Sequence, residues 1–177
     1  MSIAMGLLIA FLFVLLVATG IVVALAVTIF SGAPWVPTHK SVARAMCTIS
    51  QIKPGDRVLD LGCGDGAILL MAAREFGAIG IGVELNPLLV LWARVRARLS
   101  GVADRVTIVR GNMFIADLPD ADVVMLYLLP RAMRRIEGRL KAHYALLRVV
   151  SNGFTFESAK PVATMHIGES TLRMYSW

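Results

Sequence analysis

The stretch VLDLGCGDGAILLMAA, Val58–Ala73, decides the fold. A short apolar run typical of a buried strand leads into three glycines, Gly62, Gly64 and Gly66, and then into a helical pattern. A strand, a glycine turn and a helix together form the first unit of an open α/β sheet. Ligands in such sheets bind at the carboxyl ends of the strands, so this turn is the first place to look for a site.

The remainder of the chain repeats the alternation of strand and helix. It predicts an α/β fold with a Rossmann-like, mostly parallel sheet, helices on both faces and an antiparallel C-terminal edge hairpin turning around Gly168–Ser170. Further strands are predicted at 78–85, 105–111, 121–129 and 146–153. In the helix that starts at Pro87, helical spacing predicts one apolar stripe facing the core, made of Leu88, Leu91, Trp92, Val95 and Leu99.

The first part of the chain is an unbroken apolar segment. The 28 residues Ile3–Phe30 carry no charge, in a chain that is 57% hydrophobic. A helix of about 20 such residues crosses a bilayer core, so we predict one N-terminal transmembrane helix. A signal peptide is the first alternative, although no Lys or Arg precedes the segment, and a buried core helix is the second. Because Lys40 and Arg44 follow the segment, the positive-inside rule places the domain in the cytoplasm, as part of a single-pass membrane protein.

Three regions follow from this pattern: a membrane anchor over 1–31, a Pro-rich connector with a short helix over 32–54, and the α/β domain over 55–177. Pro34 and Pro37 end the first helix, Trp35 is placed as an interfacial aromatic residue, and Thr38 is predicted to cap the short helix. The net charge of +6 suits anionic headgroups or polyanions, or only reflects the positive-inside bias. Two isolated cysteines and three scattered histidines show no metal-binding spacing.

Two acids, Asp60 and Asp65, flank the glycines of the turn. The spacing is G-x-G-x-G, whereas a dinucleotide fingerprint has G-x-G-x-x-G and offers its helix N-terminus to a pyrophosphate. Carboxylates make a poor cradle for an anion. The turn therefore predicts a ligand with a positively charged end and little phosphate.

Two more strand ends supply groups suited to a nucleoside. Glu84 ends the second strand, where an acid accepts the hydrogen bonds of a ribose diol. After the third strand, Asn112 is placed to reach an adenine edge and Met113 to pack on its face. The ordered set of three strand ends predicts a nucleoside-binding site.

These motifs also carry a resemblance to a known family. VLDLGCGDG, GVELNP and GNMF resemble motifs of the class I S-adenosylmethionine-dependent methyltransferases, over about residues 36–177. PWVPT, GVELNPLLVLWARVRARLSG and ADVVMLYLLP are similar to the small membrane-tethered protein-lysine methyltransferases, which include the one acting on the ATP synthase c-subunit. The resemblance implies a methyltransferase with S-adenosylmethionine as its cofactor.

The resemblance also implies roles for individual residues. Glu84 would hold the ribose hydroxyls, Asn112 would take the adenine position, where an aspartate is common, and Thr38 would lie near the cofactor mouth. Tyr127 would face the methyl acceptor and orient it. The methionine part of the cofactor would be lined by Asp60, Gly62, Gly64 and Asp65.

The predicted anchor favours methyl acceptors at the membrane, because tethering raises the local concentration of membrane-bound substrates. We favour a protein lysine at a membrane, then a lipid, quinone-type or other small molecule. Nucleic acid ranks third, because no NPPY-type motif follows the fourth strand. A non-catalytic nucleoside-binding sensor or assembly factor is the alternative from another class.

Overall fold

The computed structural model describes residues 3–30 and 35–177. The helices are α1 (Ile3–Phe30), α2 (Lys40–Ile49), α3 (Ala67–Phe76), α4 (Pro87–Leu99) and α5 (Pro130–His143). The strands are β1 (Arg57–Leu61), β2 (Ile79–Glu84), β3 (Val106–Arg110), β4 (Val123–Leu126), β5 (Arg148–Asn152), β6 (Ala163–Ile167) and β7 (Ser170–Ser176).

The strands form one sheet in the order β3-β2-β1-β4-β5-β7-β6. β1 to β5 are parallel, and β7 runs antiparallel between β5 and β6. The predicted Rossmann-like sheet with its C-terminal hairpin is thereby confirmed. Because β1 pairs with both β2 and β4, the strand order reverses at β1, and the carboxyl ends of β1 and β4 flank the switch point where ligands bind.

The sheet has a hydrophobic layer on each face. Alternate residues of β1 enter opposite layers: Val58 packs with the α2 and α3 side, and Leu59 with the α5 side, where Ile136 and Leu140 are fully buried. This period of two follows from the pleat of a strand that is covered on both faces.

The predicted inward stripe of α4 is wrong. Leu88 and Leu91 are each 61% exposed, and Leu99 is 80% exposed. The sheet is met instead by the small side chains of Val90, Ala93 and Ala97. The helix comes close to the glycine turn: a Cβ added to Gly66 would lie 3.4 Å from the Cβ of Ala93, and a small residue at position 93 suits this contact.

The predicted Thr38 cap of α2 is also wrong. The helix starts at Lys40, and its N-cap is His39, which makes no side-chain capping hydrogen bond. α2 itself is well anchored in the domain, because Met46 and Cys47 are fully buried against α3 and the β5–β7 end of the sheet.

The N-terminal segment is helical over its predicted length. Within α1, the stretch Ala4–Val22 has a mean hydropathy of 2.8 and none of it is buried, so it is long and apolar enough to cross a membrane. A signal sequence passes the same test. Pro34 and the predicted boundary between residues 31 and 32 lie outside the described residues.

Candidate functional site

One cavity lies over the carboxyl ends of β1, β2, β3 and β4, with about 770 Å³ of space that opens to solvent. The structure brings every predicted site residue to its wall: Thr38, Asp60, Gly62, Gly64, Asp65, Glu84, Asn112, Met113 and Tyr127. The roles given to these residues remain predictions, but their convergence on one hollow is a property of the fold.

The glycine turn has the backbone shape that its composition requires. Gly62, Gly64 and Gly66 have φ values of +83°, +55° and +76°, a region that L side chains rarely adopt. The amides of Gly62 and Cys63 donate to the carbonyl of Val83, at 2.8 and 3.2 Å. These N–H groups are already satisfied by β2, so the turn does not offer them to a phosphate.

Glu84 fastens the turn to the next segment. Its Oε2 accepts a hydrogen bond from the Gly64 amide at 2.9 Å, and its Oε1 accepts one from the Asn86 amide at 2.8 Å. Asn86 in turn caps α4 by accepting from the Leu88 amide. Each carboxylate oxygen still has a lone pair available, which leaves two acceptor positions for a bound diol.

Asp60 is the most deeply buried acid of the cavity, at 3% exposure. No described residue donates a hydrogen bond to its carboxylate. Burial first, and then the neighbouring charges of Glu84 and Asp65, raise the pKa of Asp60 to about 8. A buried carboxyl without a partner and with a raised pKa suits a ligand that brings a positive charge.

The two acids that flank the glycine turn differ, because the charge of Asp65 is already paired within the protein. Its carboxylate forms an ion pair with Arg96 of α4, and the same guanidinium donates to the Asp65 carbonyl at 2.9 Å. The negative charge of Asp65 is thus already matched, and the unmatched acids of the cavity are Asp60 and Glu84. Sequence spacing alone does not show this pairing, because Arg96 lies 31 positions away.

The turn after β3 is held from both sides. Asn112 Oδ1 accepts from the Phe114 amide at 3.0 Å, which leaves its NH₂ group to face a ligand. Arg139 of α5 donates to the carbonyls of Met113 and Ala116. The guanidinium of Arg135 lies 4.2 Å from the centre of the Phe114 ring. This support keeps Asn112 and Met113 in place at the cavity wall.

Several lining residues were not predicted as site residues, among them Val36, Cys63, Leu89 and Phe114. Trp35, predicted as an interfacial residue, also lies in the wall, with its indole over Gly64. Burial raises the pKa of the Cys63 thiol well above its usual value, so the thiol stays protonated rather than acting as a nucleophile. Within the described residues, no cluster of three or more His, Cys, Asp or Glu is placed to hold a metal ion.

Gly64→Ala is expected to reduce the affinity of the cavity for its ligand more than Gly55→Ala does. Both glycines have positive φ, but a Cβ on Gly64 would lie 2.6 Å from Trp35 Cδ1, whereas one on Gly55 meets nothing within 4 Å. The backbone strain of about 1 kcal/mol is common to both variants, so the difference between them isolates the clash. We expect affinity for the S-adenosyl cofactor that the motifs imply to fall roughly 10-fold for Gly64→Ala only, measured by calorimetry. An equal loss in both variants would contradict this.

Solved structures with this fold hold a methyltransferase product. The chain has a TM-score of 0.77 and 37% identity to the crystal structure of an RNA methyltransferase from Salinibacter ruber in complex with S-adenosyl-L-homocysteine, over 80% of this chain and 93% of that one. An S-adenosylmethionine-dependent methyltransferase from Geobacter sulfurreducens, also with S-adenosyl-L-homocysteine, matches with 27% identity and a TM-score of 0.56, over 74% of this chain and 53% of that one. The fold and the site thus define an S-adenosylmethionine-dependent methyltransferase.

Sequence comparison gives the family. Residues 60–163 match the ANTKMT methyltransferase domain, and the chain belongs to that family. It is 33% identical to a protein-lysine N-methyltransferase of Saccharolobus islandicus, over 78% of this chain and 88% of that protein. It is 32% identical to the adenine nucleotide translocase lysine N-methyltransferase of Mus musculus, but there the match covers 81% of this chain and only 62% of the mouse protein.

Proposed function

We propose that this enzyme methylates a lysine side chain of a protein at the membrane in which α1 anchors it. The observation that carries the proposal is that one cavity is lined by the unmatched acids Asp60 and Glu84 and by the exposed Tyr127. The relatives named for lysine methylation, including lysine N-methyltransferases of the ATP synthase c-subunit, support the choice of acceptor. The three regions 1–31, 32–54 and 55–177 would then be anchor, connector and catalytic domain.

The residues of the cavity fit S-adenosylmethionine. Its amino group is the cation that the buried, unpartnered Asp60 lacks. Glu84 keeps two acceptor positions for the ribose hydroxyls, while the Asn112 NH₂ group faces the adenine edge and Met113 its face. Gly62 and Gly64 let the backbone approach the methionine part, Asp65 braces that turn through Arg96, and Thr38 lines the mouth.

The protein's contribution to the reaction is positioning. S-adenosylmethionine supplies an activated methyl group: the carbon–sulfur bond breaks as the lysine nitrogen–carbon bond forms, leaving S-adenosylhomocysteine. Alignment of donor and acceptor is worth on the order of 7–11 kcal/mol in such displacements. No Lys, Arg or His lines the cavity among the described residues, so no positively charged side chain of its wall repels a lysine. The lysine must release a proton to water before transfer, since its reference pKa is about 10.4.

Tyr127→Phe is expected to lower kcat about 10-fold and to leave cofactor affinity within about twofold of the native value. Tyr127 directly follows β4, is 38% exposed, and its hydroxyl has no hydrogen-bond partner among the described residues. A free hydroxyl at the mouth is suited to orient the acceptor amine. Steady-state kinetics with S-adenosylhomocysteine calorimetry separates the two effects. A fall in cofactor affinity with an unchanged kcat would remove Tyr127 from the acceptor side.

The membrane part of the proposal rests on α1 and its flanks. A helix of this length and hydropathy suits a single span, and the positive charges that follow it favour a cytoplasmic catalytic domain. Protease treatment of sealed inverted vesicles tests this orientation. Digestion of the domain is expected, and protection would contradict it.

The acceptor is tested with radiolabelled S-adenosylmethionine and the full chain in membranes. Membrane proteins, extracted lipids and RNA are supplied as separate acceptors, with Asp60→Asn as the control whose cofactor binding is weakened. Label in a membrane protein, located on lysine by mass spectrometry, is expected. Label in RNA, the substrate class of the Salinibacter ruber enzyme, or in lipid alone would overturn the lysine assignment. Cofactor binding without transfer to any fraction would favour the sensor alternative.

A further inference from the structure

Helix α4 carries an exposed apolar face that plays no part in the cofactor cavity. Leu88, Leu91, Trp92 and Leu99, here called the outer face of α4, are 61%, 61%, 50% and 80% exposed. Their spacing places them in one stripe, opposite the small residues that meet the sheet. Large apolar side chains on the solvent side and small ones on the core side reverse the usual arrangement, and contiguous patches of this kind mark interaction surfaces.

We propose that the outer face of α4 lies in the headgroup boundary of the same bilayer that α1 spans. This inference rests on the proposed membrane anchoring and adds a second contact between the enzyme and lipid. Leucines with tryptophan on one face and arginines beside them are the composition of helices that lie in a membrane interface.

Chain length supports a lipid partner. Phe30 ends α1 and Trp35 lies over Gly64, so the Cα atoms of Phe30 and Trp35 can be at most about 18 Å apart across five residue steps. Leu89, in the first turn of α4, lines the same cavity as Trp35. An anchored α1 therefore keeps the cavity mouth and the start of α4 close to the membrane surface.

Charge supports it as well. α1 carries no charged residue, so the surplus of +6 belongs to the rest of the chain. On α4, Arg96 is paired with Asp65 and Arg94 donates to the Ile108 carbonyl, while the exposed Arg98 borders the outer face. An arginine beside an apolar stripe contacts anionic headgroups while the stripe enters the acyl boundary. A docked α4 would hold the cavity mouth toward lysines at the membrane surface.

The first test uses the full chain in nanodiscs of phosphatidylcholine and phosphatidylglycerol. An environment-sensitive fluorophore is attached at Leu91→Cys or, as the matched control, at Leu146→Cys, which is 86% exposed away from α4. The native Cys47 and Cys63 are buried and free. Lipids bearing a doxyl quencher are expected to reduce emission at position 91 by more than half and to leave position 146 unchanged. Equal quenching by the doxyl lipids at both positions would overturn the proposal.

A second copy of the chain is the other occupant that this experiment detects. If a blue shift at position 91 appears with two copies in each nanodisc, vanishes with one and is not accompanied by doxyl quenching, the face is a dimer contact and the lipid proposal fails. Quenching that persists with one copy supports it.

The second test measures function. Leu91→Ser/Leu99→Ser is compared with Leu146→Ser/Val162→Ser, which removes a similar pair of exposed apolar side chains elsewhere. We expect the α4 pair to lower methylation of membrane-embedded acceptor about fivefold, with S-adenosylhomocysteine affinity in detergent unchanged. Equal rates in both pairs would contradict the proposal. If the native chain binds no cofactor, the proposed function fails while the quenching result still decides where α4 lies.

Discussion

Asp60→Asn is expected to lower the affinity for S-adenosylmethionine by roughly 100-fold and, in the same protein, to raise the melting temperature of the cofactor-free form. The affinity falls because the cofactor's cation loses the charge of its buried partner, and a 100-fold loss corresponds to about 2.7 kcal/mol. The stability rises because the native carboxyl is buried without a partner and lies near the charges of Glu84 and Asp65. Asparagine has nearly the same shape and does not ionise, so the two effects are read from one isosteric change.

The stability effect has a defined pH window. The pKa of Asp60 is raised from 3.8 to about 8, so the folded protein holds a proton that the unfolded chain releases in between. The contribution of this group to stability is complete below about pH 4 and is lost progressively as the pH rises to about 8. Asp60→Asn therefore gains nothing at pH 4 and gains stability progressively up to about pH 8, where each kcal/mol raises the melting temperature by about 2–4 °C.

Cofactor binding has the opposite pH dependence. A cation beside Asp60 favours its ionised form, so binding below pH 8 expels the proton from this carboxyl. We expect the affinity of the native protein to rise by up to about 10-fold per pH unit toward pH 8 and then to level off. Calorimetry in buffers of different ionisation enthalpy measures the released proton. Subtracting the proton release of Asp60→Asn from that of the native protein removes the contribution of the cofactor's own amine. Equal proton release by both would show that Asp60 does not meet the cation.

Much of this fold and site is predictable from local sequence. A buried strand, a glycine turn and a helix locate Asp60, and each later strand end locates one more group, Glu84 and then Asn112. Parallel strands bring their carboxyl ends to one edge, so sequence order alone implies that these groups meet.

Other features depend on contacts that are distant in sequence. Helical spacing shows which residues of α4 share a face but not which face meets the sheet, and the inward prediction for the leucine stripe fails for that reason. Ala93 lies against Gly66, and this contact between α4 and the glycine turn is not visible in helical spacing. The pairing of Asp65 with Arg96 likewise joins two elements across 31 positions and changes which acids remain for the cofactor. Trp35 contacts the glycine turn at Gly64, which is distant in sequence, and local patterns do not reveal this contact.

Glu84→Ala is expected to weaken cofactor binding by roughly 30- to 1,000-fold, a loss of about 2–4 kcal/mol. Two causes combine in that loss. The carboxylate would accept the ribose hydroxyls, and it also accepts from the amides of Gly64 and Asn86, which alanine leaves unsatisfied in a buried place. The affinity of this variant alone therefore does not distinguish recognition of the ribose from support of the glycine turn.

A ligand analogue separates the two causes. A carboxylate has about four lone-pair positions, and the two amides use two, so the two that remain match the two hydroxyls of a ribose. S-adenosylhomocysteine is expected to bind the native protein about 100-fold more tightly than its 2′,3′-dideoxy analogue, whereas Glu84→Ala should bind both with similar, weak affinity. If the variant weakens both ligands equally and keeps the native preference between them, Glu84 acts on the glycine turn and another group holds the ribose. The ratio of the two affinities, rather than either affinity, therefore decides whether Glu84 contacts the cofactor.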